Sequence, residues 1–205
     1  MAFSDFQYPD VLAKLGLTEG ATDLFPQVPP VVPTHGFTDI LGRNTQLAVS
    51  INTEKARSEY LIAPLLGEFW GRYGGRVGLH SGVEFAADPA NGLNGFCDFL
   101  LGRGPQVPRV RAPVLVVFEA KNEKIAEGFG QCIAGMVGVD RFNRREGIPD
   151  GIVYGCITTG TEWRFLRLAG STVTFDLSEY AITQVDRILG ILVHIVGAIP
   201  EAVAA

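Results

Sequence analysis

Charge is scarce in this chain. Only 19% of its residues are Asp, Glu, Lys or Arg, against a usual ~25%. The net charge is −5, which excludes a protein that coats nucleic acid non-specifically, although a local basic groove remains compatible with it. Cysteine is rare as well. Cys97, Cys132 and Cys156 sit far apart in apolar runs, which excludes a disulfide framework and any zinc-binding spacing and suits reduced thiols in a cytoplasmic protein. The three histidines, His35, His80 and His194, are equally scattered and lack zinc-hydrolase spacing. No G-x-S-x-G elbow occurs, and "GFGQCIAG" has neither a P-loop lysine nor dinucleotide glycine spacing.

Long apolar runs are missing too. "MAFSDFQYPD" has no basic start followed by an apolar core, so no secretory leader is expected. The most apolar stretch, "ILGILVHIVGAI" at 188–199, falls short of the ~20 residues of a membrane span. It reads as a buried or dimer-forming helix. Hydrophobic residues make up 47% of the chain, too many for its few charges to cover. The expectation is therefore a homo-oligomer, a dimer, with no membrane partner.

The chain is long enough for one substantial core with a modest extension. Residues 1–52 read as an N-terminal arm: a short helix entered through Pro9, an extended "FPQVPPVVP", and a second helix over "FTDILGRNTQLAVSI". A single domain over 53–199 follows. Asn52 or Thr53 caps a helix whose Ile62, Leu65, Leu66 and Phe69 recur at helical spacing, with Pro64 kinking or shortening it. Strands are expected at 76–88, 95–103 and along "PVLVVFEAK", then a glycine-containing helix from "NEKIAEGFGQ" onward. An antiparallel meander with turns at Gly160 and Gly170 and a closing helix complete the order. The fold class is α/β or α+β.

The segment "APVLVVFEAKNE" carries the chemistry. Apolar residues on both faces mark "VLVVF" as a central strand, and it ends in Glu119 and Lys121, two residues apart and on one face. Asp98 lies in a similar setting in "GFCDFLL". A carboxylate among Phe96, Phe99 and Leu100 costs several kcal/mol (~2–7) if unpaired. A divalent cation shared with Glu119 removes that cost, and such oxygen ligands suit Mg²⁺. Glu59, three and seven residues before Ile62 and Leu66, is expected on the inward helix face as a third acid. Alternatively it pairs with Lys55 or Arg57 at the surface.

This pattern resembles the PD-(D/E)xK nuclease superfamily, especially its restriction-endonuclease-like and type I restriction-subunit-like branches. Asp98 matches the first acid of the motif, Glu119-Ala120-Lys121 the acid-x-lysine, and Glu59 the acid on the first helix. Gln131 is similar to a glutamine that several branches carry beside the site. The resemblance covers roughly 53–168. It implies a core of helix, three strands, helix and strand (αβββαβ) around a mixed sheet. It also implies Mg²⁺- or Mn²⁺-dependent hydrolysis of phosphodiester bonds in nucleic acid, DNA above all. Asp98, Glu119 and Glu59 are the implied metal ligands, with Lys121 and Gln131 beside them. Arg103, Arg109 and Arg111 in the connection between the acid-bearing strands, and Arg141, Arg144 and Arg145 in "RFNRR", are candidate phosphate contacts. The competing expectation is a catalytically silent binding or scaffold protein on the same fold.

Overall fold

The computed structural model of the chain describes residues 1–148 and 151–197. Helix α1 (Asp10–Leu15) and strand β1 (Thr18–Thr22) precede an irregular proline-containing stretch and helix α2 (Phe37–Ile51). A helical unit follows, made of α3 (Glu54–Arg57), a π-turn (Ser58–Ile62) and α4 (Ala63–Tyr73). Next come β2 (Val77–Asp88), β3 (Leu93–Arg103), β4 (Val114–Ala120), a 3-10 turn (Ile125–Gly128) and α5 (Phe129–Arg145). Strands β5 (Ile152–Thr158), β6 (Glu162–Ala169) and β7 (Thr172–Ala181) lead to α6 (Val185–Val196). Residues 198 and 199, expected as the end of the closing helix, lie outside the described residues.

The seven strands form one mixed sheet in the order β1-β7-β6-β5-β4-β3-β2, flanked by helices in an α+β arrangement. Strands β2, β3 and β4 are successive antiparallel neighbours, whereas β5 joins β4 in parallel after the α5 crossover. The β5–β6–β7 meander is antiparallel, as expected.

Local chemistry explains the broken helical unit. Thr53 caps it by accepting the Ala56 amide. Pro64 has no amide to give the carbonyl of Tyr60 four residues earlier, and the Asn44 side chain of α2 donates to that carbonyl at 2.9 Å instead. Upstream of the proline the chain widens, with Ala63 N–H donating to Ser58 O five residues back.

Strand β4 is central and covered on both sides. Val116, Phe118 and Ala120 belong to the core beneath α4 and α6, while Val117 belongs to the core beneath α5. Helix α5 approaches closely because Gly135 faces the sheet: a Cβ there would stand 3.1 Å from Val117 Cγ1. The apolar residues of α6, including Ile188, Leu189, Ile191 and Leu192, are buried within this chain. The terminal helix is thus covered by its own fold.

Residues 1–52 contribute to both cores. Phe3, Phe6 and Val11 pack under α5, while Phe25, Val28, Phe37 and Leu41 pack on the opposite face. Strand β1 extends the sheet in parallel with β7. The buried carboxylate of Asp176 in β7 holds the segment after β1 by accepting the Leu24 amide at 3.1 Å. Among the described residues no helix is long and apolar enough to cross a membrane.

Candidate functional site

Strands β3 and β4 place their acids side by side. The last paired residues toward the end of β4 are Phe99 and Phe118, so one step further sets Asp98 opposite Glu119. There the ladder gives way to a side chain: Asp98 Oδ2 accepts the Ala120 amide at 2.7 Å. Glu119 shares the α5-facing side with Val117, and only 3% of it is exposed. Lys121, past the strand end, is tied to β5 by its amide, which donates to Thr158 O at 2.9 Å. Its Nζ donates to Glu119 Oε1 at 2.5 Å.

The start of α5 forms the roof. A Cβ on Gly128 would stand 3.3 Å from both Glu119 Cγ and Lys121 Cγ and 2.7 Å from Ile157 Cγ2. Glycine is required there because the backbone itself is the packing surface.

Electrostatics follow from this burial. Loss of solvent pushes the Glu119 carboxyl up to about 8, Asp98 adds to the rise, and Lys121 opposes it. Burial raises Asp98 as well, against the Ala120 amide and the Lys121 charge. Burial lowers Lys121, yet Glu119, Glu54 and Asp98 together outweigh it, and the ammonium ends above its usual value. Two carboxyl groups, Glu119 buried and Asp98 partly buried, therefore sit beside one ammonium, and ionising both of them calls for more positive charge than Lys121 supplies. The nearby Cys97 thiol is pushed up to about 12 by burial, with Glu119 and Asp98 adding, so it is no nucleophile.

Glu59 is not part of this group. It lies exposed and pairs with Lys55 at 2.8 Å, the surface alternative. The i→i+5 turn explains the difference, because its extra residue shifts the helical phase that would have pointed Glu59 inward with Ile62. Glu54 takes up the acidic position at this end of the helix. It stands close enough for its charge to raise both Glu119 and Lys121. Helical spacing gives no hint of it; the signal is its place directly after the Thr53 cap. Gln131 lies in the first turn of α5, half-buried, three residues beyond Gly128.

A second group invisible to sequence reasoning holds the rim. Arg57, 8% exposed, donates Nε to Asn122 Oδ1, Nη1 to Thr159 O and Thr161 Oγ1, and Nη2 to Asn52 Oδ1. It ties the helix bearing Glu54 to the residue after Lys121 and to the β5–β6 turn.

The expected phosphate-binding arginines lie elsewhere. The loop with Arg109 and Arg111 joins β3 to Val114, five residues and roughly 16 Å from Glu119. Arg103 donates to Val196 O at the same far end. On α5, Arg141 pairs with Asp88, Arg144 with Asp140, and Arg145 donates to Ala87 O.

Asp98 and Glu119 suit a hard divalent cation, since Mg²⁺ typically takes one or two carboxylates and completes its shell with water or phosphate. Their raised carboxyls point the same way, since both ionise together only with further positive charge beside them. Among the described residues no group of three or more His, Cys, Asp or Glu converges on a metal position, so the candidate there is the pair of carboxyls, Asp98 and Glu119. Comparison with protein-family models, curated proteins and solved structures finds no match for this chain.

Proposed function

We propose that this chain is a metal-dependent nuclease of the PD-(D/E)xK type, acting on DNA. The observation that carries the reading is the meeting of Asp98, Glu119 and Lys121 at the end of β4. The order α4, β2, β3, β4, α5, β5, with three antiparallel strands and a parallel fourth, supports a restriction-endonuclease-like core around that site.

In this reading the carboxylates of Asp98 and Glu119 hold Mg²⁺ or Mn²⁺. The bound ion supplies positive charge against the scissile phosphate and acidifies a water ligand. Burial of Glu119 keeps competing water away, and the Ala120 amide fixes the direction of Asp98. With Glu119 engaged by such an ion, Lys121 would be available to donate to the attacking water or a phosphate oxygen. Glu54 acts on the same group through its charge.

The test is cleavage of supercoiled plasmid and single-stranded DNA with Mg²⁺ or Mn²⁺. The native chain is expected to cut, and Asp98→Ala and Lys121→Ala to be silent. Equal activity in the variants would remove the site from consideration.

A second reading, a catalytically silent protein that assembles with itself, draws on α2. Ile40, Leu47 and Ile51 lie 46%, 44% and 45% exposed, seven and four residues apart and thus on one stripe. A dimer in sedimentation that Leu47→Glu dissolves, together with no cleavage of any substrate, would favour it.

A further inference from the structure

The register of the sheet sets one more charged side chain beside the acids. Glu119 pairs with Ile157 on β5, Ile157 with Arg164 on β6, and Arg164 with Glu179 on β7. Directly paired residues share a face, and strands lie about 4.8 Å apart, so Arg164 stands roughly 10 Å from Glu119. The start of α5 spans the gap. Gly128 lies against Glu119, Lys121 and Ile157, and Phe129, next in the chain, presents its ring 5.5 Å from the Arg164 guanidinium carbon.

This guanidinium is aimed but under-used. Its Nη1 donates to Glu179 Oε1 at 3.2 Å, while its Nε is buried without a partner. Its side chain is 28% exposed and that of Glu179 56%, so the outer edge of the fork can be reached and the pair is weak. Arg167 has an unmet Nε too, but it pairs with Tyr154, which packs in the opposite core.

We propose that Arg164 binds a backbone phosphate of the nucleic-acid strand beside the one hydrolysed, exchanging the Glu179 carboxylate for phosphate oxygens. The role rests on the nuclease reading and deepens it by naming the substrate-binding cation. The planar fork matches a phosphate in two-pronged fashion, and Phe129 holds it at a set distance from Glu119.

The test compares the native chain with Arg164→Gln, Arg164→Lys and Glu179→Gln, using labelled single-stranded and duplex oligonucleotides. Fluorescence anisotropy in Ca²⁺ over a salt series reads binding, and plasmid cleavage in Mg²⁺ reads KM and kcat. Arg164→Gln is expected to bind about tenfold more weakly, with a salt slope reduced by about one, and to raise KM while kcat stays within about twofold. Arg164→Lys should fall between the two, and Glu179→Gln should bind several-fold more tightly. Unchanged affinity and salt slope in Arg164→Gln, or a fall in kcat alone, overturns this role while the nuclease reading survives. A native chain that binds neither oligonucleotide overturns both.

Discussion

Asp98 and Ala120 are joined across two strands: the carboxylate of one accepts the amide of the other at 2.7 Å. The acid therefore has a structural duty as well as a chemical one, and substitutions separate the two. Asp98→Ala leaves the Ala120 amide without its acceptor, at a cost of about 1–3 kcal/mol. Asp98→Asn keeps an oxygen there and should melt close to the native temperature. Both should lose the rise in melting temperature on adding Mg²⁺, read by thermal denaturation with and without the ion.

Glu119 sets a pH dependence. Its carboxyl is raised from 4.5 to about 8, chiefly by burial, so between those values the folded chain holds a proton that the unfolded chain has released. Stability of the metal-free protein should fall as pH rises across that window and level off above it, by on the order of a few kcal/mol. Urea denaturation at about pH 5 and about pH 8 measures the difference. Glu119→Gln should flatten the profile, and saturating Mg²⁺ should restore stability at the alkaline end.

Two glutamates five residues apart should behave oppositely. Glu59→Gln removes only an exposed pair with Lys55 and should change stability and cleavage by no more than about 0.5 kcal/mol equivalent. Glu54→Gln removes a charge that acts on Glu119 and Lys121. It should raise the Mg²⁺ concentration for half-maximal cleavage several-fold at unchanged melting temperature. A titration of cleavage against Mg²⁺ decides between them.

Gly128→Ala probes the roof. The added methyl would stand 2.7 Å from Ile157 Cγ2 and 3.3 Å from the Cγ atoms of Glu119 and Lys121. Overpacking of this kind costs about 1–3 kcal/mol, and the displaced acid and amine should lower cleavage more than stability. Gly147→Ala, with open space around its Cβ but a φ of 84°, is the control: it strains the backbone without touching the site.

Much of the architecture was legible because it rests on short-range patterns. Alternation and turn glycines mark the strands around Asp98 and Glu119, and the double-sided apolar run of β4 marks it as central. Thr53 and Pro9 announce the helices that follow them, and Pro64 announces an irregularity. The adjacency of Glu119 and Lys121 follows from the two-residue period of a strand alone.

What the linear order of residues could not decide was which distant groups meet. Helical phase is cumulative, so one wide turn before Pro64 was enough to send Glu59 into solvent and leave Glu54 near the acids. Strand β1 pairs with a segment some 150 residues away, and no local propensity encodes that choice. The loop arginines are neighbours of the site in the chain yet sit at the far end of β4, because an antiparallel connection always returns at the end it leaves. Arg164 reaches the row of Glu119 only through two successive strand registers, each set by how the buried faces pack. Local periodicity determined the elements and the two charges at the end of β4; long-range pairing decided the company those charges keep.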